Sequence, residues 1–213
     1  MKTIEDIIKE RNIPDIFTFN SGKPVKTPED FLRRREEMKK LLSEHEYGYI
    51  PAKPDHLRVE VVSADAKFCA GKASLTKLSF TVTIGECEFS FPVNAVIPKS
   101  DKKCPAFVFP NFRPDVPDRY LPSEEIVDRG YAVFSFYRND ITTDKGFKKD
   151  GLSKIFKRNE RKLSSPGKLA LWAWAAMRVM DYVETLDTID KDNVAIVGHS
   201  RLGKTALLAG AFD

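Results

Sequence analysis

Cysteine and histidine are scarce in this 213-residue chain, three of each, and each scarcity excludes something. Cys69, Cys87 and Cys104 are odd in number, far apart and without C-x-x-C spacing, which argues against a disulfide framework or a zinc site. No run approaches the roughly 20 apolar residues a membrane-crossing helix needs. The first ten residues mix acids into every turn and lack the apolar core of a secretory leader, so the chain reads as cytoplasmic. Charge of one sign is missing too. The net +4 comes from 35 basic and 31 acidic residues dispersed along the chain, the pattern of a solvated surface rather than of a nucleic-acid or membrane face. Hydrophobic content of 42% is ordinary for one globular domain.

The hydrophobic period changes twice. Residues 1–56 read as a helical arm: a short amphipathic helix with Ile4, Ile7 and Ile8 on one face, then a second helix with Thr27 as cap, Pro28 first and Asp30 reaching back. Phe31, Leu32, Met38, Leu41 and Leu42 form its apolar stripe, and the run Arg33 to Arg35 its wet side. Residues 57–61, 75–84 and 88–97 then alternate as strands joined by turns at Gly71 and Gly85, an antiparallel start; Pro92 suits a bulge or an edge. Beyond Lys103, buried strands at 106–109, 131–137 and 194–197 alternate with helices at 123–129 and 165–186, which implies right-handed crossovers and a parallel sheet. Ser165 and Pro166 would start the long helix, whose stripe of Leu169, Ala173, Ala176, Met180 and Val183 is core spacing. Trp172 and Trp174 read as core rather than as sugar-stacking plates. Residues 139–164 lack periodicity, so Asn139, Asp140 and Asp144 either line a pocket at the strand's carboxyl end or serve solubility, the preferred reading.

The chain is organised around residues 193–213. A β-branched run meets Gly198, then a polar turn, then a small-residue helix, a junction that places its turn at the carboxyl edge of a parallel sheet. Two chemistries fit the turn. In one, Ser200 is a nucleophile on a strained strand-to-helix elbow, Gly198-His199-Ser200-Arg201-Leu202-Gly203. In the other, Gly198-x4-Gly203-Lys204-Thr205 is a phosphate loop for a nucleotide. Position favours the elbow, because a phosphate loop opens its domain and this turn follows a long α/β pattern.

The run Ala170 to Trp174, then Arg178 to Tyr182, then 194–210 with its G-x-S-R-x-G-K turn, resembles the carbohydrate esterases related to glucuronoyl and acetyl-xylan esterases, within the α/β-hydrolase fold. The resemblance implies a mixed sheet, antiparallel then parallel, over residues 57–213. It implies Ser200 as nucleophile, Arg201 as oxyanion support and Lys204 near the sugar hydroxyls, with a small-molecule or oligosaccharide ester as substrate and neither metal nor cofactor. One oxyanion donor would be the Arg201 amide, and a second would come from the amides of Asn111 and Phe112, after the strand ending at Phe109. A bland surface ion pair is the competing role for Arg201.

A serine needs a base, and a base needs an orienting acid. In this fold the order is Ser, acid, His, yet His45, His56 and His199 all precede Ser200. His199 should leave the turn on the other side and pack. The triad's acid and histidine are therefore expected outside this chain, which reads as a C-terminally truncated domain with little turnover and an unpaired edge beside the elbow strand.

Overall fold

The computed structural model describes residues 2–11, 13–145, 150–156, 162 and 164–213. Six strands form one sheet in the order β1-β2-β3-β5-β4-β6, with β1 (His56–Phe68), β2 (Ala73–Ile84), β3 (Cys87–Pro98), β4 (Cys104–Asn111), β5 (Ala132–Tyr137) and β6 (Ile189–Ile196). The first three pair antiparallel as consecutive hairpins, and β4 lies parallel to both β5 and β6. This is the expected antiparallel start and parallel second half. Pro92 sits opposite Ser79 without any register shift, while β5 pairs with β3 only at Asn94, Ala95 and Val96. Its missing N–H therefore faces a locally open edge and no bulge is needed.

Alternate residues of the central strands fill two layers. Ala132, Phe134 and Phe136 of β5 and Ala106 and Val108 of β4 face the long helix α6 (Lys168–Val183). On the opposite face Val133, Phe109 and Val96 pack with Val127 of α3 (Ser123–Asp128). Burial on both faces explains why β5 reads as an apolar run broken only by Ser135. Trp172 and Trp174 are fully buried, and their indole N–H groups donate to the carbonyls of Thr142 (3.0 Å) and Ala52 (2.8 Å), as buried Trp requires.

Several bounds differ from the sequence expectation: β1 runs on to Phe68 and β6 starts at Ile189, five residues before Val194. Helix α6 begins at Lys168 with Gly167 as cap, not at Pro166 after Ser165, because the Gly167 N–H donates to the Tyr47 carbonyl (2.8 Å) and a Cβ there would lie 2.7 Å from that oxygen. In α2 (Pro28–Leu42) the Thr27 hydroxyl caps the Asp30 N–H as expected, but the Asp30 carboxylate reaches Lys26 N–H, one residue further back. More consequentially, the apolar stripe of α2 does not face the core. Leu32 is 60% exposed, and Phe31, Leu41 and Leu42 are exposed too, while Arg34 is buried and donates to Asn20 Oδ1 (2.7 Å) and Glu37 Oε2 (2.8 Å). Of the expected wet side Arg34 alone is buried, while Arg33 and Glu36 stay in solvent. Helix α1 (Ile4–Arg11) forms as expected but buries no residue.

Candidate functional site

Three parallel strands deliver three loops to the same carboxyl edge of the sheet, where ligands of open α/β sheets bind. The loop after β6 runs from Val197 to Ser200 and enters α7 (Arg201–Phe212). Val197 N–H still donates to the Val108 carbonyl (3.1 Å), so the turn stays fastened to β4 until one residue before Gly198. Ser200 then adopts φ 55°, ψ −123°, a strained conformation for a residue with a side chain. Its neighbours show why the spacing is what it is. A Cβ on Gly198 would lie 2.2 Å from the Leu202 carbonyl oxygen, and one on Gly203 would lie 3.2 Å from the Gly198 oxygen. Only glycines let the strand end and the first helical turn cross this closely, and the crossing lifts Ser200 to the surface, where it is exposed.

The same turn removes the donors a phosphate loop would use. Leu202 N–H donates to His199 O (2.9 Å), and the N–H groups of Gly203 and Lys204 donate to Ser200 O (3.0 and 3.3 Å). Gly203 and Lys204 are thus already inside α7, with their amides turned into the helix. Arg201, as the first helical residue, keeps its N–H outside the intrahelical ladder.

The predicted site residues divide into two groups. Ser200 and Lys204 line one open depression together with Val197, Gly198, Gly203 and Leu207. Arg201, next to Ser200 in the chain, is not among the residues lining that depression; its guanidinium forms an ion pair with Asp144 from the loop after β5. That carboxylate also meets Arg138 Nη1 at 3.0 Å. Arg138 opens the short helix α4 (Arg138–Ile141), which precedes the equally short α5 (Leu152–Ile155), and its guanidinium stacks 4.9 Å from the Phe112 ring centre and 5.1 Å from that of Trp172. Burial pulls its pKa down from the ordinary arginine value, as for any cation removed from water. Asp140, two residues on, is pushed up by burial.

Asn111 and Phe112 are placed differently from expectation. Asn111 is fully buried, donates through Nδ2 to Asp118 Oδ2 (2.6 Å) and accepts the Phe112 N–H at 2.7 Å. The Phe112 amide already has a partner, so these residues brace the loop after β4 rather than present free donors. Phe112 contributes its ring instead: His199 lies edge-on to it at 6.2 Å and stacks on Tyr120 at 6.0 Å. His199 is thus taken up in ring contacts, the packing role anticipated for it. His56 lies on β1, at the far edge of the sheet from β6 and roughly 24 Å away at the usual strand spacing. No acidic and histidine cluster suited to a metal occurs among the described residues. None of the described helices is long and apolar enough to cross a membrane.

Sequence reasoning missed Arg138 and Asp118 and preferred solubility for Asp144. An arginine directly after an apolar parallel strand was the available signal, since that position faces the ligand edge.

A family model described as glucuronyl esterase of fungi matches residues 80–213, more than half of the chain. The chain belongs to the glucuronoyl esterase family. A 4-O-methyl-glucuronoyl methylesterase from Podospora anserina is 30% identical over 204 residues, covering 93% of this chain and 38% of that protein. A carbohydrate esterase from an unknown prokaryotic organism is 39% identical over 93 residues, 42% of this chain and 22% of the relative. Among solved structures, a glucuronoyl esterase from Solibacter usitatus superposes with TM-score 0.82 at 27% identity, over 94% of this chain and 60% of its own. The one from Teredinibacter turnerae gives 0.79 at 26% identity, over 96% and 54%. The fold is thus the α/β-hydrolase fold of glucuronoyl esterases, and the chain spans less than half the length of these curated relatives.

Proposed function

We propose that this chain carries the nucleophile portion of a serine carboxyl-ester hydrolase that cleaves an ester of a glucuronic-acid-type sugar through an acyl-enzyme. The observation that carries the reading is Ser200 at positive φ between β6 and α7, exposed at the carboxyl edge of the parallel strands. In the reaction the Ser200 Oγ–carbon bond forms as its proton passes to a base. The carbonyl oxygen then bears negative charge beside the Arg201 amide and guanidinium, and the alcohol leaves with the proton the base returns. Water activated by the same base releases the uronate. Lys204, in the same depression as Ser200, is placed to donate to sugar hydroxyls. Residues 57–213 act as the partial hydrolase domain, and residues 1–56 as an arm beside it.

His56 lies on the far-edge strand β1 and His199 is taken up by the Phe112 and Tyr120 rings, so neither of these two serves as the base for Ser200 in this reading. The test is hydrolysis of a methyl glucuronate ester, followed by acid release, in full-length wild type and Ser200→Ala. Loss of at least about 10⁴ in kcat is expected; retention of more than a tenth of the rate would remove Ser200 from the chemistry.

A further inference from the structure

We propose that Asp144 is a positioning residue for the proposed reaction, tying the Arg201 guanidinium beside Ser200 while Arg138 fixes Asp144 from behind. The inference rests on the reading of Arg201 as oxyanion support, and deepens it by naming what holds that arginine in place.

Anchorage of the carboxylate comes first. Two residues before Asp144, the Thr142 carbonyl accepts the buried Trp172 indole N–H (3.0 Å), and the Thr142 hydroxyl donates to Asp150 Oδ1 at 2.7 Å. Thr143 N–H donates to the same Asp150 oxygen at 2.9 Å. The backbone leading to Asp144 is therefore fastened to the core helix and to the far end of its own loop. Behind the carboxylate, Arg138 has a side chain only 15% exposed and is held between the Phe112 and Trp172 rings, so it has little freedom to follow a moving partner. In front of it, the Arg201 side chain is 51% exposed. Left alone, an exposed arginine samples many rotamers, and fixing one costs conformational entropy.

The fork geometry allows positioning without sequestration. Asp144 takes Nη1 of Arg201, and a guanidinium carries five donors, so the Nε and Nη2 edge stays available to an oxyanion. Two cations share one carboxylate, which leaves the cluster net positive where negative charge develops in the transition state. The opposite arrangement, in which Asp144 competes with the oxyanion for Arg201, makes the opposite forecast and is tested by the same variants.

In the full-length protein acting on a methyl glucuronate ester, Asp144→Asn should lower kcat by about 10- to 100-fold with KM changed less than about threefold, the scale of a misplaced catalytic group. Asp144→Glu should recover part of the loss. In an Arg201→Ala background, Asp144→Asn should cost nothing further, since the group it positions is gone. Unchanged or increased kcat in Asp144→Asn overturns the proposal, as does a loss that multiplies with that of Arg201→Ala. Arg201→Ala with wild-type kcat overturns the underlying reading instead. A readout free of turnover uses the 213-residue chain: the Arg201 Nη resonances should be split by slowed guanidinium rotation and merge in Asp144→Asn. Free rotation in the wild type counts against the tether.

Discussion

Helices α6 and α7 are held in place by different means. In α6 ten consecutive residues from Ala170 to Val179 are buried, and even Arg178 is enclosed, donating to Asp181 Oδ2 at 2.5 Å beneath the Trp174 ring. In α7 only Leu202, Thr205, Ala206, Leu208 and Ala209 are buried, and Leu207 is 78% exposed. What fixes α7 is backbone geometry at one end and cations at the other. Gly198 and Gly203 cross closely at its start, while Arg35 Nη2 donates to the Ala211 carbonyl at 2.5 Å and Lys39 lies 4.8 Å from the Phe212 ring centre at its finish. Positive charge at a helix C-terminus is favourable there. A scaffold helix is secured by volume, and the helix behind the candidate nucleophile by a few specific close approaches.

That contrast can be broken with substitutions of graded effect. The largest is Trp174→Ala, which empties a fully buried ring site and orphans the Ala52 carbonyl; a loss of about 3–5 kcal/mol is expected in chemical denaturation. Gly198→Ala is next. Its new methyl meets a backbone oxygen that no side-chain rotation can move, so about 3 kcal/mol and a displaced first turn of α7 are expected, visible as lost amide protection at Leu202 and Gly203.

Asp150→Asn sharpens the comparison at the segment ahead of α6. Burial alone would raise the Asp150 pKa, but the Thr143 and Thr142 hydrogen bonds outweigh it and hold the group below its ordinary value of 3.8. A carboxyl depressed on folding contributes its stabilisation fully above the unfolded value and loses it as pH falls through the folded one. The variant should therefore cost about 1–3 kcal/mol at pH 7, with the gap to wild type closing below pH 3.8. Leu207→Ala, at the exposed side of α7, should cost under about 0.5 kcal/mol in this chain. A large effect there would mean that α7 is packed as α6 is.

Much of this architecture is written in local pattern. Period-two alternation located β1 to β3, and near-continuous apolar runs located β4 and β5, because strands buried on one face and on two leave different signatures. Ser200 was legible because the glycines on either side of it are a backbone requirement, and backbone requirements appear in sequence. The burial of Arg34 in α2 was not legible. A stripe such as Phe31, Leu32, Leu41 and Leu42 says that a helix has an apolar face, but not what that face meets, and here Arg34, Arg35 and Lys39 make the contacts with Asn20 and α7. The same holds for Asp144: a carboxylate between arginines from two different strand ends is a product of topology, and no spacing along the chain encodes it.

The most direct test is covalent labelling of the full-length protein with a fluorophosphonate, with the adduct mapped by peptide mass spectrometry. The account forecasts a single adduct on Ser200 that disappears in Ser200→Ala. An adduct on another residue, or Mg²⁺-dependent ATP binding lost in Lys204→Ala, would contradict it.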